Sequence, residues 1–363
     1  MIIIILILSL PYTLLMWAFY VGLRRTLRHS ASPTDAPVAS GVSVVVVFRN
    51  EERNLPRLLA ALRTQTLSPE RWEALLIDDG STDCGPQLVI GAGGNVRYVR
   101  SDGCGKKAAL VQGLSRARHS LVAICDADCQ PAPTWLAELL RQWRGEAMLQ
   151  GAVLIEPQGH WLAPFDALDY ASLQAASAAA FGLGRPIMAA AANLAVVPAA
   201  IPCDAQHLRP HIDTGDDTFM LHAAKQRGLP VGCTLSPAMA VRTRFEGGLL
   251  QRLQRRMRWA SKATAYTDSH AIAVTLLVAA MAVSQTLALL LAIAGAMPWT
   301  VVLLLWGIKL AADTPLMLGY LRITHQLNLL PCYIPLQVVY PIYTLIEAIG
   351  AMMRKKNGVK RWL

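Results

Sequence analysis

Apolar positions along this chain fall into three regimes, each predicting a different kind of structure. Between residues 41 and 268 they form short runs separated by stretches of helical period. The run 42–48 (VSVVVVF) is β-branched, bounded by Gly41 and the polar Arg49-Asn50-Glu51-Glu52, and reads as a buried strand. Residues 73–77 and 121–125 read the same way, 96–99 supplies a further strand, and 148–155 reads as one more. Helical patterns fill the gaps at 55–65, from about 108, at 135–143 and at 219–227. Strands alternating with helices predict an α/β domain with a mostly parallel sheet, whose ligands bind beyond the carboxyl ends of the strands.

The second regime is residues 1–23, without a charge and followed at once by Arg24-Arg25. A cleaved signal peptide would carry its charge ahead of a shorter apolar core, so this order predicts a membrane anchor with Arg24 on the cytoplasmic side. The third begins at residue 271. Segments 271–297 and 300–321 are long enough to span a bilayer, with Pro298-Trp299 between them. Lys309 and Asp313, four apart in the second, share a helical face and read as a neutralising pair or a ligand contact. Segment 329–353 is broken by Pro331, Pro335 and Pro341 and carries Glu347. A full crossing would put the basic tail 354–363 outside, against the positive-inside rule. A kinked or interfacial segment would keep it inside.

Composition sharpens this division. The chain is 54% hydrophobic and only 16% charged, too apolar for an ordinary soluble protein, and the excess sits at both ends. Its net charge of +10 gathers partly beside the apolar spans, at Arg24, Arg25, Arg28 and again in 354–363, where it suits anionic lipid headgroups. No aromatic-basic module accompanies these clusters, which argues against a nucleic-acid partner. The seven cysteines form no CxxC pair, and reduced thiols are expected. The expected organisation is an anchor at 1–23, a linker at 24–40, a cytoplasmic domain at 41–268 and a membrane region at 269–353, in a multi-pass protein of the cell inner (plasma) membrane.

Carboxylates crowd the expected strand ends: Asn50-Glu51-Glu52, Asp78-Asp79, and Asp126-Ala127-Asp128. An Asp-x-Asp at a strand end suits a hard divalent cation, Mg2+ or Mn2+, held by one or two carboxylates plus substrate phosphates. Such an ion would neutralise charge on a diphosphate leaving group. Gly103-Cys104-Gly105-Lys106-Lys107 ahead of a helix suits a phosphate-bearing ligand. Asp213 and Asp216-Asp217 bring further carboxylates just before a helix, and one of the latter pair could deprotonate an attacking hydroxyl. Residues 249–262 (LLQRLQRRMRWASK) form a basic amphipathic pattern with Leu250, Leu253, Met257 and Trp259 as its apolar stripe. It reads as a membrane-surface helix whose Arg255, Arg256, Arg258 and Trp259 could also hold a diphosphate and stack on a sugar.

Taken together, these motifs resemble the membrane-bound family 2 glycosyltransferases, which include cellulose, hyaluronan and chitin synthases and ceramide glucosyltransferase. The resemblance rests on residues 44–52, Ile77-Asp78-Asp79-Gly80-Ser81-Thr82-Asp83, residues 105–110, Asp126-Ala127-Asp128, Gly215-Asp216-Asp217 and Arg255-Arg256-Met257-Arg258-Trp259, across residues 42–262. It implies the GT-A fold, inverting transfer from a nucleotide-diphosphate sugar (a UDP-sugar first), and a lipid or lipid-linked acceptor. It also implies that Asn50, Glu52, Asp78, Asp79, Lys106, Asp126, Arg255, Arg258 and Trp259 contact the donor. Asp126 and Asp128 hold Mg2+ or Mn2+, and Asp217 is the general base. The usual Glu-Asp of the base motif is Asp216-Asp217 here, and the usual Gln-x-x-Arg-Trp begins with Arg255, closer to the ceramide glucosyltransferase variant. The alternatives are a processive polysaccharide synthase and, from another class, a catalytically inactive scaffold or transporter.

Overall fold

The computed structural model describes residues 2–31, 39–103, 105–201, 207–209, 212, 215–245, 248–261 and 265–356, with backbone alone at 2–8 and 351–356. Linker residues 32–38, Cys104, Asp213-Thr214, Lys262 and tail residues 357–363 lie outside the described residues.

The chain opens with helix α1 (Ile2–Ala31), then alternates β1 (Val42–Phe48), α2 (Leu55–Arg63), β2 (Trp72–Asp78), α3 (Gly85–Ile90), β3 (Val96–Arg100), α4 (Lys106–Arg116) and β4 (Leu121–Ile124). Short elements follow: β5 (Cys129–Pro131), α5 (Trp135–Gln142), β6 (Met148–Gln150) and β7 (Val153–Ile155). Next come α6 (Ala163–Gly182), β8 (Leu194–Val196), α7 (Asp216–Gln226), β9 (Val231–Cys233) and β10 (Val241–Thr243). The chain closes with α8 (Leu249–Ser261), α9 (Ser269–Ile293), α10 (Trp299–Ile323) and α11 (Tyr333–Lys356).

Two compact units divide these elements: residues 26–156 with 188–244, and residues 1–25 with 157–187 and 245–363. The first holds a seven-stranded sheet of order β3-β2-β1-β4-β8-β6-β9. β1 pairs in parallel with both β2 and β4, and β2 with β3, so the apolar run of β1 becomes an interior strand. Six of its seven residues are buried, as expected for a strand covered on both faces. β8 runs antiparallel to β4 and β6. Strand order reverses between β1 and β4, and it is there, beyond the carboxyl ends, that such sheets bind ligands.

A three-stranded sheet, β5-β10-β7, completes the unit. The single strand expected over 148–155 is therefore two strands in different sheets, β6 and β7. The break falls at Gly151, whose missing Cβ would lie 2.3 Å from the Asn193 amide nitrogen. Asn193 is fully buried and spends its side chain on backbone: its Nδ2 donates to Ala152 and Met239 carbonyls, each at 2.8 Å, and its Oδ1 accepts from Trp135. An amide tied to three segments this way leaves no room for a straight strand.

The second unit is helical. Ser269–Ile293, Trp299–Ile323 and Leu327–Gly350 are long and apolar enough to cross a membrane. The Lys309–Asp313 pair is formed, and it is closed by neighbours from other segments. Gln337 accepts from Lys309 at 2.7 Å and donates to Asp313 at 3.0 Å, while the Tyr12 hydroxyl donates to Asp313 at 2.7 Å. Every charge there is compensated, which makes the neutralising-pair reading the structural one.

Candidate active site

The β1 end turns sharply at Asn50, which adopts a left-handed backbone (φ 56°), a conformation its short amide tolerates. Its Oδ1 accepts the Thr82 backbone N–H at 2.8 Å, so the loops after β1 and β2 are laced together. Glu52 reinforces the lacing: its N–H donates to Asp83 at 2.9 Å and its carboxylate accepts from the Cys84 N–H at 3.1 Å. Asn50 and Glu52 therefore shape the rim of the site through their loop partners. Asp78, buried at the β2 end, accepts from the Ser81 N–H at 2.8 Å and the Tyr98 hydroxyl at 2.9 Å. Asp79 is also buried. Its Oδ1 accepts from Gly105 N–H at 2.8 Å, and its Oδ2 has no partner among the described residues. Burial holds the Asp79 carboxyl above the usual range.

Gly105 caps α4 at φ 95°, a backbone that other residues adopt only with strain, and this launches Lys106 and Lys107 at the helix start. Lys107 turns inward, donating to the Leu208 and Arg209 carbonyls at 2.5 and 3.1 Å. Lys106 turns to the carboxylates, its Nζ 2.7 Å from Asp126 Oδ1. Burial opposes its charge, yet Asp126, Asp216 and Asp217 outweigh that and raise its pKa.

Asp126 and Asp128 follow β4. Burial, then the charges of Asp126 and Glu51, push the Asp128 carboxyl up to about 6. Glu51 is raised too, by burial and by Asp126 and Asp83, against a hydrogen bond from Asn54. Carboxylate charges that raise both Asp128 and Glu51 in this way mark a place where a cation is favoured. Among the described residues no three His, Cys, Asp or Glu side chains are set to hold a metal by themselves. Asp126 and Asp128 thus fit a hard cation that draws its other oxygens from substrate phosphates. Cys125 and Cys129 flank them as buried thiols.

α7 begins three residues earlier than the pattern suggested, so Asp216 and Asp217 lie in its first turn behind Gly215, a left-handed cap (φ 92°). The two then part company. Asp216 is buried, its Oδ2 lacks a partner among the described residues, and burial raises its pKa against the pull of Lys106. Asp217 is only half-buried, and its Oδ2 is aimed by the Ala191 N–H at 3.2 Å. Of the pair, Asp217 is the one open to a reactant.

Arg255, Arg258 and Trp259 belong to the helical unit, so sequence reasoning brought together residues that the structure describes in two separate bodies. The Arg255 guanidinium lies 3.8 Å over the Phe245 ring, and Trp259 packs with Tyr170 and Phe245, each centroid 5.7 Å away. The expected apolar stripe of α8 is partly covered, with Leu253, Met257 and Trp259 half-buried. Leu250 is 67% exposed, whereas Arg252 is 3% exposed and paired with Asp166. Arg256 is likewise committed, to Asp169 and Glu347. Carboxylates on neighbouring helices draw Arg252 and Arg256 inside, because a buried charge needs a partner.

Models of two families match this chain: Glycosyl transferase family 2 over residues 43–162, and Glycosyl transferase family group 2 over residues 121–320, more than half of its length. The chain belongs to glycosyl transferase family 2. An undecaprenyl-phosphate 4-deoxy-4-formamido-L-arabinose transferase from Salmonella choleraesuis is 33% identical over 112 residues, covering 29% of this chain and 34% of that protein. Its counterpart in Salmonella paratyphi A is 32% identical over a stretch of the same length. The chain thus spans about a third of the length of these curated relatives. Among solved structures, a mannosyltransferase from Pyrobaculum calidifontis in complex with GDP-Man and Mn2+ superposes with a TM-score of 0.60 at 18% identity, covering 98% of this chain and 99% of that one. The fold is therefore the GT-A fold, and the family to which the chain belongs is one of glycosyltransferases.

Several residues of this glycosyltransferase escaped sequence reasoning. Asp166, Asp169, Tyr170 and Phe245 surround α8. For Asp166 and Asp169 a signal existed: they are the only charges in an alanine-rich helix and lie three apart on one face. For Phe245 there was none.

Proposed function

We propose that this enzyme transfers a sugar, with inversion, from a nucleotide-diphosphate sugar to a lipid or lipid-linked acceptor at the cytoplasmic face of the cell membrane. A UDP-sugar is the first donor to test. One observation carries the reading. The loops after β1, β2 and β4 gather Glu51, Asp79, Asp126 and Asp128 around Lys106 and the start of α7, in a chain that also holds three membrane-length apolar helices. The lipid-phosphate carrier named for the curated relatives supports the acceptor class.

In this reading Asn50, Glu52, Asp78 and Asp79 frame the nucleoside, and Lys106 faces the diphosphate once a cation stands at Asp126 and Asp128. A bound Mg2+ or Mn2+ would supply Lewis-acid stabilisation of the leaving diphosphate. The acceptor oxygen forms a bond to the anomeric carbon as the bond to the diphosphate breaks, and a hydroxyl acceptor passes its proton to Asp217. Arg255, Arg258 and Trp259 serve the phosphates and the acceptor sugar. Residues 1–23 anchor the chain beside the later spans, with Arg24, Arg25 and Arg28 holding residues 41–268 in the cytoplasm.

The test is to incubate membranes containing the protein with a panel of radiolabelled nucleotide sugars, with and without excess chelator. Label entering organic solvent only in the presence of Mg2+ or Mn2+ is the expected result. Label in insoluble polymer would make the enzyme a polysaccharide synthase. Transfer undiminished by chelator would remove the metal from the reading.

A further inference from the structure

The guanidinium of Arg256 is held on two sides. Its Nε lies 3.1 Å from Asp169 of α6 and 2.8 Å from Glu347 of α11, and both carboxylates are 5% exposed. One turn earlier, Arg252 pairs with Asp166. Arg252 and Arg256, four apart on α8, therefore meet Asp166 and Asp169, three apart on α6, as two rungs of a ladder. Asp169 keeps one oxygen without a partner among the described residues, and burial pushes its carboxyl up to about 7 despite Arg256. Beside the Glu347 contact α8 touches α11 closely: a Cβ on Gly350 would meet the Met257 side chain.

We propose that Asp169 and Glu347 are positioning residues that clamp Arg256, and through it fix the orientation in which α8 presents Arg255, Arg258 and Trp259. Arg256 itself then touches no substrate. The inference rests on the reading that α8 meets the donor or acceptor. Two buried carboxylates more than neutralise one guanidinium, so Arg256 has no charge left to offer a diphosphate. Arg255, stacked on Phe245, is held by an aromatic face. α8 and its two clamping helices lie within one compact unit, so the device is complete there. Its value is geometric, since displacing a substrate-holding group by an ångström costs about 10²-fold in rate.

Buried ion pairs give this a distinctive signature: removing one partner is severe, whereas removing the whole set at once is close to neutral. The full-length enzyme in membranes is assayed with the nucleotide sugar it uses. Arg256→Met should lower kcat by about 10²-fold. Asp169→Asn alone should lower it more modestly, with the donor KM unchanged. The triple variant Arg256→Met/Asp169→Asn/Glu347→Gln should return to within about tenfold of the parent. If Arg256 contacts substrate, the triple variant stays as impaired as Arg256→Met, and the proposal is overturned. The same two carboxylate changes should give no recovery to Arg258→Ala, and recovery there would also overturn it.

A readout independent of turnover is disulfide cross-linking of Met257→Cys/Gly350→Cys, made in an enzyme whose other cysteines are replaced by serine. Yield should be high with the clamp intact, fall in Arg256→Met, and return in the triple variant. Yields that ignore the clamp refute the positioning role whether or not transfer is found. Intact cross-linking without any transfer by the parent refutes the enzymatic reading and leaves the clamp standing.

Discussion

Asp128→Asn should make this protein more stable while disabling it. Asp128 has an ordinary carboxyl value of 3.8, raised to about 6 by burial and by the charges of Asp126 and Glu51. A rise of about two units corresponds to roughly 3 kcal/mol by which folding disfavours the ionised form. Because the folded value lies above the unfolded one, stability from this group is fully present below about pH 4 and is lost as pH rises through about 6. At pH 7.5 the parent therefore carries the whole cost, and an asparagine carries none. The amide also offers its two donors to carboxylates that repelled the original side chain.

The assay is thermal unfolding of purified, detergent-solubilised enzyme in EDTA, parent against variant, at pH 7.5 and pH 4.5. A gain approaching 3 kcal/mol is a rise of roughly 6–12 °C for a unit of this size at the higher pH. It should shrink sharply at pH 4.5, where the parent already holds the proton. Addition of Mn2+ and a nucleotide sugar should then stabilise the parent by ligand linkage and leave the variant unmoved. Equal destabilisation of the variant at both pH values would refute the reasoning, since it would mean that Asp128 is held by favourable contacts and that no strained charge awaits a cation.

Asp217→Asn should cut turnover by on the order of 10²–10⁴-fold while donor affinity, read by calorimetry, barely moves. A normal rate in that variant would point instead to an acceptor that arrives already ionised, such as a phosphate, and needs no base. Arg258→Ala and Trp259→Ala should each lose most activity yet remain in the membrane fraction, and near-normal rates in both would reduce α8 to a surface anchor. A reporter fused near Ser40 should be active only if it works in the cytoplasm, given the run of Arg24, Arg25 and Arg28 after an uncharged stretch. Activity from a reporter that requires export would overturn the orientation.

Much of the catalytic unit was legible because its signals are local. β1 advertises itself as a seven-residue run that is apolar at every position but Ser43, and the abrupt change to Arg49-Asn50-Glu51-Glu52 marks its carboxyl end. Once strands alternate with helices, parallel pairing follows, and with it the gathering of strand-end carboxylates on one edge. That is why Asp78, Asp79, Asp126 and the start of α7 are legible in the sequence. Partners distant in sequence were beyond reach. Nothing in the run 148–155 foretold that Asn193 would crowd Gly151 and send β6 and β7 into different sheets.

The sequence by itself determined the class of fold, the strand ends that carry the carboxylates, and the apolar lengths that suit a bilayer, because each depends on composition or period within one segment. The tertiary structure decided which charge meets which. Asp216 and Asp217 are adjacent and chemically alike, yet one is buried and the other half-open, since only the fold sets which side of α7 faces inward. The arginines of α8 resemble a solvated basic face until partners 86 and 91 residues away draw two of them inside. Lys309 and Asp313 announced their own pairing, but Tyr12 and Gln337, which complete it, come from 301 and 28 residues away. Hydrophobic period reports how a segment partitions between water and apolar surroundings. A buried ion pair depends on a distance of a few ångströms between groups that only the folded chain brings together.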